Sequence, residues 1–129
     1  MNPGNGSGGE LFARGLRNSV GLRFHPSTGE LWATDNGRDN IGDDLPPEEI
    51  NVVSHSGMDF GWPYCYYDTN LKRLVQAPDY GGDAKMAGRC ASKKTALVAF
   101  PGHWAPNGLM FYTGSNFPAR YRDGAFIAF

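Results

Sequence analysis

Residues 15–51, GLRNSVGLRFHPSTGELWATDNGRDNIGDDLPPEEIN, decide how this chain folds. Gly21-Leu22-Arg23-Phe24 and Glu30-Leu31-Trp32-Ala33-Thr34 are short β-rich runs, and the five residues between them, His25-Pro26-Ser27-Thr28-Gly29, carry turn chemistry. Proline fixes φ where the turn opens and glycine can take φ > 0 where it closes, so the stretch reads as a β-hairpin. Arg17-Asn18 precedes the first strand. The second strand runs into Asp35-Asn36-Gly37-Arg38-Asp39-Asn40-Ile41-Gly42-Asp43-Asp44, a loop of carboxylates, amides and two glycines. In an antiparallel pair the start of the first strand lies beside the end of the second. The pattern therefore predicts a cation, amides and carboxylates gathered at one end of a hairpin.

Outward from this hairpin the chain reads as scaffold. Glu10-Leu11-Phe12-Ala13 predicts a short strand, and further strands are expected near 19–24, 30–35 and 49–53. Pro46-Pro47 pins the start of the last of these, because proline cannot continue a ladder. Ala96-Leu97-Val98-Ala99-Phe100 predicts another strand. Between them, Gly61-Trp62-Pro63 and the tyrosines 64, 66 and 67 form an aromatic turn, and Asp68 to Ser92 holds neither a helical nor a strand period. Residues 54–96 are thus expected to be a long, loop-rich surface insertion. Gly108-Leu109-Met110-Phe111 restates Gly21-Leu22-Arg23-Phe24 after 87 residues, and Gly124-Ala125-Phe126-Ile127-Ala128 falls where the second strand of the first hairpin fell. With no amphipathic helix of useful length, the class is all-β, and the repeat points to radially repeated sheets rather than a sandwich.

Composition narrows the function. A net charge of −1, a pI near 6.3 and no basic run longer than Lys93-Lys94 argue against nucleic acid as a partner. No apolar stretch is long enough to span a membrane. Residues 1–9 lack an apolar segment, so they are not a signal peptide and are expected to be a flexible loop or linker. Cys65 and Cys90, both inside the insertion, fit one disulfide closing a 25-residue loop and hence an oxidising compartment, periplasmic or secreted. Two free buried thiols are the alternative. His25 and His55 fall in turns and are expected to be exposed.

The string GLRNxVGLxFxPxTGELWxTDNGRDxxGDDLPPxEIN, with Gly61-Trp62-Pro63-Tyr64 and the run from Gly108 to Ala128, resembles the soluble pyrroloquinoline-quinone (PQQ) dependent sugar dehydrogenases, most closely their L-sorbosone dehydrogenase-like branch. The resemblance implies a six-bladed β-propeller carrying PQQ and Ca²⁺ at the centre of one face. Four-stranded blades need roughly 40–50 residues each, so 129 residues supply about two to three, and the chain is expected to be a propeller fragment of about two blades with a long insertion that works with the remaining blades of a longer protein. Its units are expected to be blade one at about 19–100, carrying the insertion 54–96, and the start of the next blade at 107–129.

What the resemblance implies for the site follows residue by residue. Arg17, Asn18, Asn36, Arg38 and Glu48 would contact PQQ, while the Gly37 and Arg38 carbonyls with Glu49 would hold Ca²⁺. The general base of the family is a histidine in an earlier blade that nothing here matches; His103 is the local candidate. Activity would be oxidation of a sugar or sugar aldehyde, with electrons passed to an external acceptor. Two alternatives come from other classes: a non-catalytic propeller binding module, and a lactonase-type Ca²⁺-dependent hydrolase.

Overall fold

The computed structural model describes residues 8–129, so most of the expected linker at 1–9 lies outside the described residues, while Gly8 and Gly9 are exposed. The hairpin read from the sequence is present. Strand β2 (Ser19–Phe24) pairs antiparallel with β3 (Leu31–Asp35), and Phe24 faces Leu31 across the turn. His25 N donates to Glu30 O at 2.8 Å and Gly29 N to His25 O at 2.9 Å, with Gly29 at φ +73° closing the turn. At the other end Ser19 stands opposite Asp35, and a register shift follows before Leu22 meets Ala33.

Strands β4 (Glu48–Val53) and β8 (Val98–Phe100) extend this pair into a four-stranded antiparallel sheet in the order β2-β3-β4-β8. The long connection from β4 to β8 is the insertion. A second hairpin, β9 (Gly108–Phe111) with β10 (Ala125–Ala128), repeats the first, as the G-L-x-F pattern requires. It packs on β2 through Leu109, which is 5% exposed. Gly21 makes that approach possible: a Cβ there would lie 3.1 Å from the Leu109 Cβ and 2.9 Å from Thr34 Oγ1. The edge of the interface is aromatic, with His25 4.8 Å and Trp32 5.2 Å from the ring centre of Phe111. His25 is therefore half-buried rather than exposed, because its ring is a packing surface; His55 is exposed as expected.

Residues 54–96 depart further from expectation. The two residues paired at the N-terminal side are not 10–13 but β1 (Ala13–Arg14), which runs parallel to β5 (Met58–Asp59). Cys65–Asp68 (β6) and Arg73–Gln76 (β7) form a hairpin, and two 3₁₀ turns follow at Pro78–Tyr80 and Gly88–Ser92. The segment has its own small core of Cys65, Leu74 and Cys90, with Tyr67 against it. Its sequence conceals this because the strands are four residues long, too short to show a period, and one of their buried positions is a cysteine in a disulfide. The other cluster, Val53, Met58 and Phe60 with Ala13, Leu16 and Leu31, seals the insertion to the main sheet.

Candidate functional site

The polar end of the first hairpin is organised by Asp35. As the last residue of β3 its carboxylate accepts the backbone N–H of Arg17 at 2.9 Å and of Asn18 at 2.7 Å, and the Ser19 hydroxyl at 3.1 Å. Burial raises its pKa, and those three donors work against the rise. Asn36 N also donates to Asn18 O at 3.1 Å, so the Arg17-Asn18 turn is locked to the Asn36-Gly37 turn. Asp35 is the residue organising this end of the hairpin that the sequence reading did not single out. Its signal was a carboxylate ending a β-run directly across from the residues that follow Arg17-Asn18.

Arg17 crosses that junction. Its Nη1 donates to Gly37 O at 2.7 Å and Asn36 O at 3.1 Å, and its guanidinium carbon lies 5.7 Å from the centre of the Trp62 ring. Glu48, buried at the start of β4, is fully engaged by the backbone: Oε2 accepts Gly37 N at 3.0 Å and Oε1 accepts His103 N at 3.1 Å. Asn36 donates through Nδ2 to Asn107 Oδ1 at 3.0 Å, while its buried Oδ1 has no partner. His103, at φ +67°, donates from Nε2 to the Gly42 carbonyl at 3.0 Å and has Nδ1 3.5 Å from Asp39. The Gly42 carbonyl, then Asp39, raises its pKa.

Of the residues expected at a site, Arg17, Asn18, Asn36, Gly37, Glu48 and His103 line one open cleft of about 300 Å³. Arg38 and Glu49 do not. Successive residues of a strand face opposite ways, so Glu49 points away from Glu48 into a second cavity of about 50 Å³ that it shares with Asp35, Trp62 and Tyr66. There it stands directly opposite Asp35 and accepts Asn51 Nδ2 at 3.1 Å. Loss of solvent, aided by Asp35 and Glu48, pushes its pKa up to about 7. The Arg38 side chain is largely buried in this second cavity and forms an ion pair with Asp79 of the first 3₁₀ turn. Arg17 and Gly37 line both spaces. Cys65 and Cys90 are joined, with Cα atoms 5.8 Å apart.

PQQ is a planar quinone with three carboxylates. The open cleft fits such a group, since it presents a guanidinium, two amides and a histidine edge, and the buried Oδ1 of Asn36 has no partner. The same residues do not fit Ca²⁺ as they stand. The Gly37 carbonyl is capped by a guanidinium, each Glu48 oxygen accepts a backbone N–H, and among the described residues no three His, Cys, Asp or Glu side chains gather at a metal-binding distance.

A family model described as Glucose / Sorbosone dehydrogenase matches residues 2–128. An uncharacterised protein of Borreliella burgdorferi is 42% identical over 123 residues, covering 92% of this chain and 29% of that protein. A pyrroloquinoline quinone-dependent sugar dehydrogenase of Hypocrea jecorina is 32% identical over 71 residues, covering 45% of this chain and 16% of that one. Among solved structures, the calcium structure of a Trichoderma reesei enzyme of Carbohydrate-Active Enzymes Family AA12 superposes with a TM-score of 0.64 at 24% identity, over 78% of this chain and 31% of that one. The apo form of the soluble aldose sugar dehydrogenase of Escherichia coli gives a TM-score of 0.64 at 21% identity, over 95% and 32%. The fold is thus the all-β propeller type, and the chain spans less than a third of the length of the curated relatives it matches.

Proposed function

The chain belongs to the glucose/sorbosone dehydrogenase family, and from that premise we propose that it is part of a quinoprotein dehydrogenase that oxidises a sugar or sugar aldehyde. Held in this cleft, PQQ would supply a hydride acceptor for the substrate carbon. This chain's residues do the holding. Arg17 offers a planar cationic fork suited to a carboxylate or a quinone oxygen, Asn18 and Asn36 offer amide partners beside it, and Asp35 fixes the turn that carries Arg17 and Asn18. Glu48 holds Gly37 and His103 at their backbone N–H groups, setting two walls of the cleft relative to each other. Arg38 stabilises the wall from behind through Asp79.

His103 is a poor base in this arrangement, because its Nε2 proton is committed to the Gly42 carbonyl and Asp39 lies beside Nδ1. The base would come from another blade of the longer protein, and PQQ held here would need an external electron acceptor. The sheet β2-β3-β4-β8 with its insertion is one blade, about 19–100, and residues 107–129 begin the next. The disulfide suits a periplasmic or secreted setting. Among the described residues, no helix is long and apolar enough to cross a membrane.

The observation that carries this reading is the convergence of Arg17, Asn18 and Asn36 on one cleft with a buried amide end left unpaired. Titration with PQQ, followed by tryptophan fluorescence, tests it. Saturable quenching is expected, weakened about tenfold or more in Arg17→Ala and in Asn36→Ala, the loss of one charge-assisted or buried hydrogen bond being worth about 1.5–3 kcal/mol. Equal quenching in wild type and both variants would refute it. No quenching by a protein with ordered β-structure would favour the non-catalytic binding module.

A further inference from the structure

We infer that Arg17 is an internal cation for the Asn36-Gly37 turn, so that its guanidinium and a divalent metal ion exclude one another at the Gly37 carbonyl. The inference rests on the geometry of the turn and holds whether or not a quinone binds in the cleft.

A carbonyl that ligates Ca²⁺ does so at about 2.3–2.6 Å, with the ion on the side of the oxygen's lone pairs. Arg17 Nη1 already sits 2.7 Å from that oxygen, and the same nitrogen reaches Asn36 O at 3.1 Å. An ion placed there would stand within one atomic layer of the positive charge of the guanidinium. Guanidinium and metal thus supply the same thing, positive charge to two backbone dipoles that converge at the turn.

The position of Arg17 is built rather than incidental. Its backbone is held by Asp35 and its side chain lies against the Trp62 ring, so the guanidinium is fixed from the strand side and from the insertion side. Nor do the surrounding acids recruit a metal in its place. Glu48 has both oxygens on backbone N–H groups, Asp35 accepts three donors, and Glu49 turns into the other cavity. Of the acids lining the cleft that leaves Asp39, exposed at its rim, so a divalent ion can be balanced at Gly37 only where the guanidinium no longer holds that place.

The test is a Ca²⁺ titration of the protein ¹³C-labelled at glycine carbonyls, with binding followed by calorimetry and by the Gly37 carbonyl resonance. In the wild type, Ca²⁺ up to millimolar concentration is expected to leave that resonance in place. In Arg17→Met, which keeps the apolar stem against Trp62 and removes the charge, Ca²⁺ affinity should rise at least about tenfold, with a saturable shift at Gly37. Arg14→Met removes an equal charge from a residue whose partner is Asp59 and should change neither signal. A saturable Gly37 shift in the wild type at micromolar Ca²⁺ would overturn the inference without any variant. So would the absence of a gain in Arg17→Met, or an equal gain in Arg14→Met.

Discussion

Glu49→Gln should make the protein more stable at pH 8 and remove most of its stability loss between pH 5 and 8. The carboxyl is withdrawn from water in the small cavity behind Arg17, faces Asp35 directly across the β3–β4 pair, and has its pKa pushed from 4.5 up to about 7, chiefly by desolvation. A raised acid holds its proton in the folded state while the unfolded chain has already released it. Between pH 4.5 and 7 the folded state is then the one with more protons bound, and stability falls as pH rises through that window. Below 4.5 both states are protonated, and above 7 both are ionised, so the loss is complete there. At 1.36 kcal/mol per pKa unit the full span is about 3 kcal/mol. Glutamine keeps the shape and the bond to Asn51 but cannot ionise. Urea unfolding of wild type and variant at pH 5, 6, 7 and 8 measures the effect as a difference. That difference removes the part due to His103, whose raised pKa contributes to both proteins. The curves should meet near pH 5 and separate by about 3 kcal/mol at pH 8, with the variant above. Parallel curves, or a wild type more stable at pH 8, would show that the carboxyl is solvated or is paired with a cation in the folded protein.

Other outcomes follow from the same geometry. Replacing both Cys65 and Cys90 by alanine should lower unfolding free energy by about 3–4 kcal/mol in denaturant titration, the chain-entropy value for a loop spanning 25 residues. Gly15→Ala should cost at least about 2 kcal/mol, seen as a lower melting temperature, because the backbone there is at φ +78° and a Cβ would sit 2.3 Å from Gly61 N. Thr34→Val, which conserves volume at a fully buried position, should cost about 1–3 kcal/mol, since Gly21 N then loses the Oγ1 acceptor it holds at 2.8 Å. Amide exchange at Gly21 should speed up in that variant.

The hairpin and its polar end were legible because each rests on local rules: Pro26 and Gly29 specify a turn, alternation specifies the strands, and antiparallel pairing brings Arg17 beside Asn36. The facing of Glu48 and Glu49 was also available, since neighbours on a strand cannot share a side, but the motif treated them as one acidic pair. What local rules could not give was non-local. Arg38 stays beside Gly37 in sequence yet its charge is spent on Asp79, 41 residues away, and that partner lies in a segment whose strands are too short to announce themselves. The two-residue strand β1 was misplaced for the same reason. Its ladder partner is Met58–Asp59, and nothing in Glu10–Arg14 alone chooses which residues will pair.

That segment matters to the cleft more than its loop-rich sequence suggests. Phe60 N bonds to Arg14 O and Trp62 N to Gly15 O, each at 2.9 Å, so the insertion is laced by its backbone to the chain leading into Arg17. Two further ties reach the same place through side chains, Trp62 against the Arg17 guanidinium and Asp79 on Arg38. Holding a long cationic side chain in one rotamer costs conformational entropy of up to about 2 kcal/mol, and a surface arginine seldom repays it. Here Arg17 is confined by a ring and two carbonyls, and the ring is carried on a segment whose disulfide and small core restrict its motion. The Cys65–Cys90 bond closes the hairpin that follows Trp62, and Trp62 in turn lies against Arg17, the one cation that both cavities share.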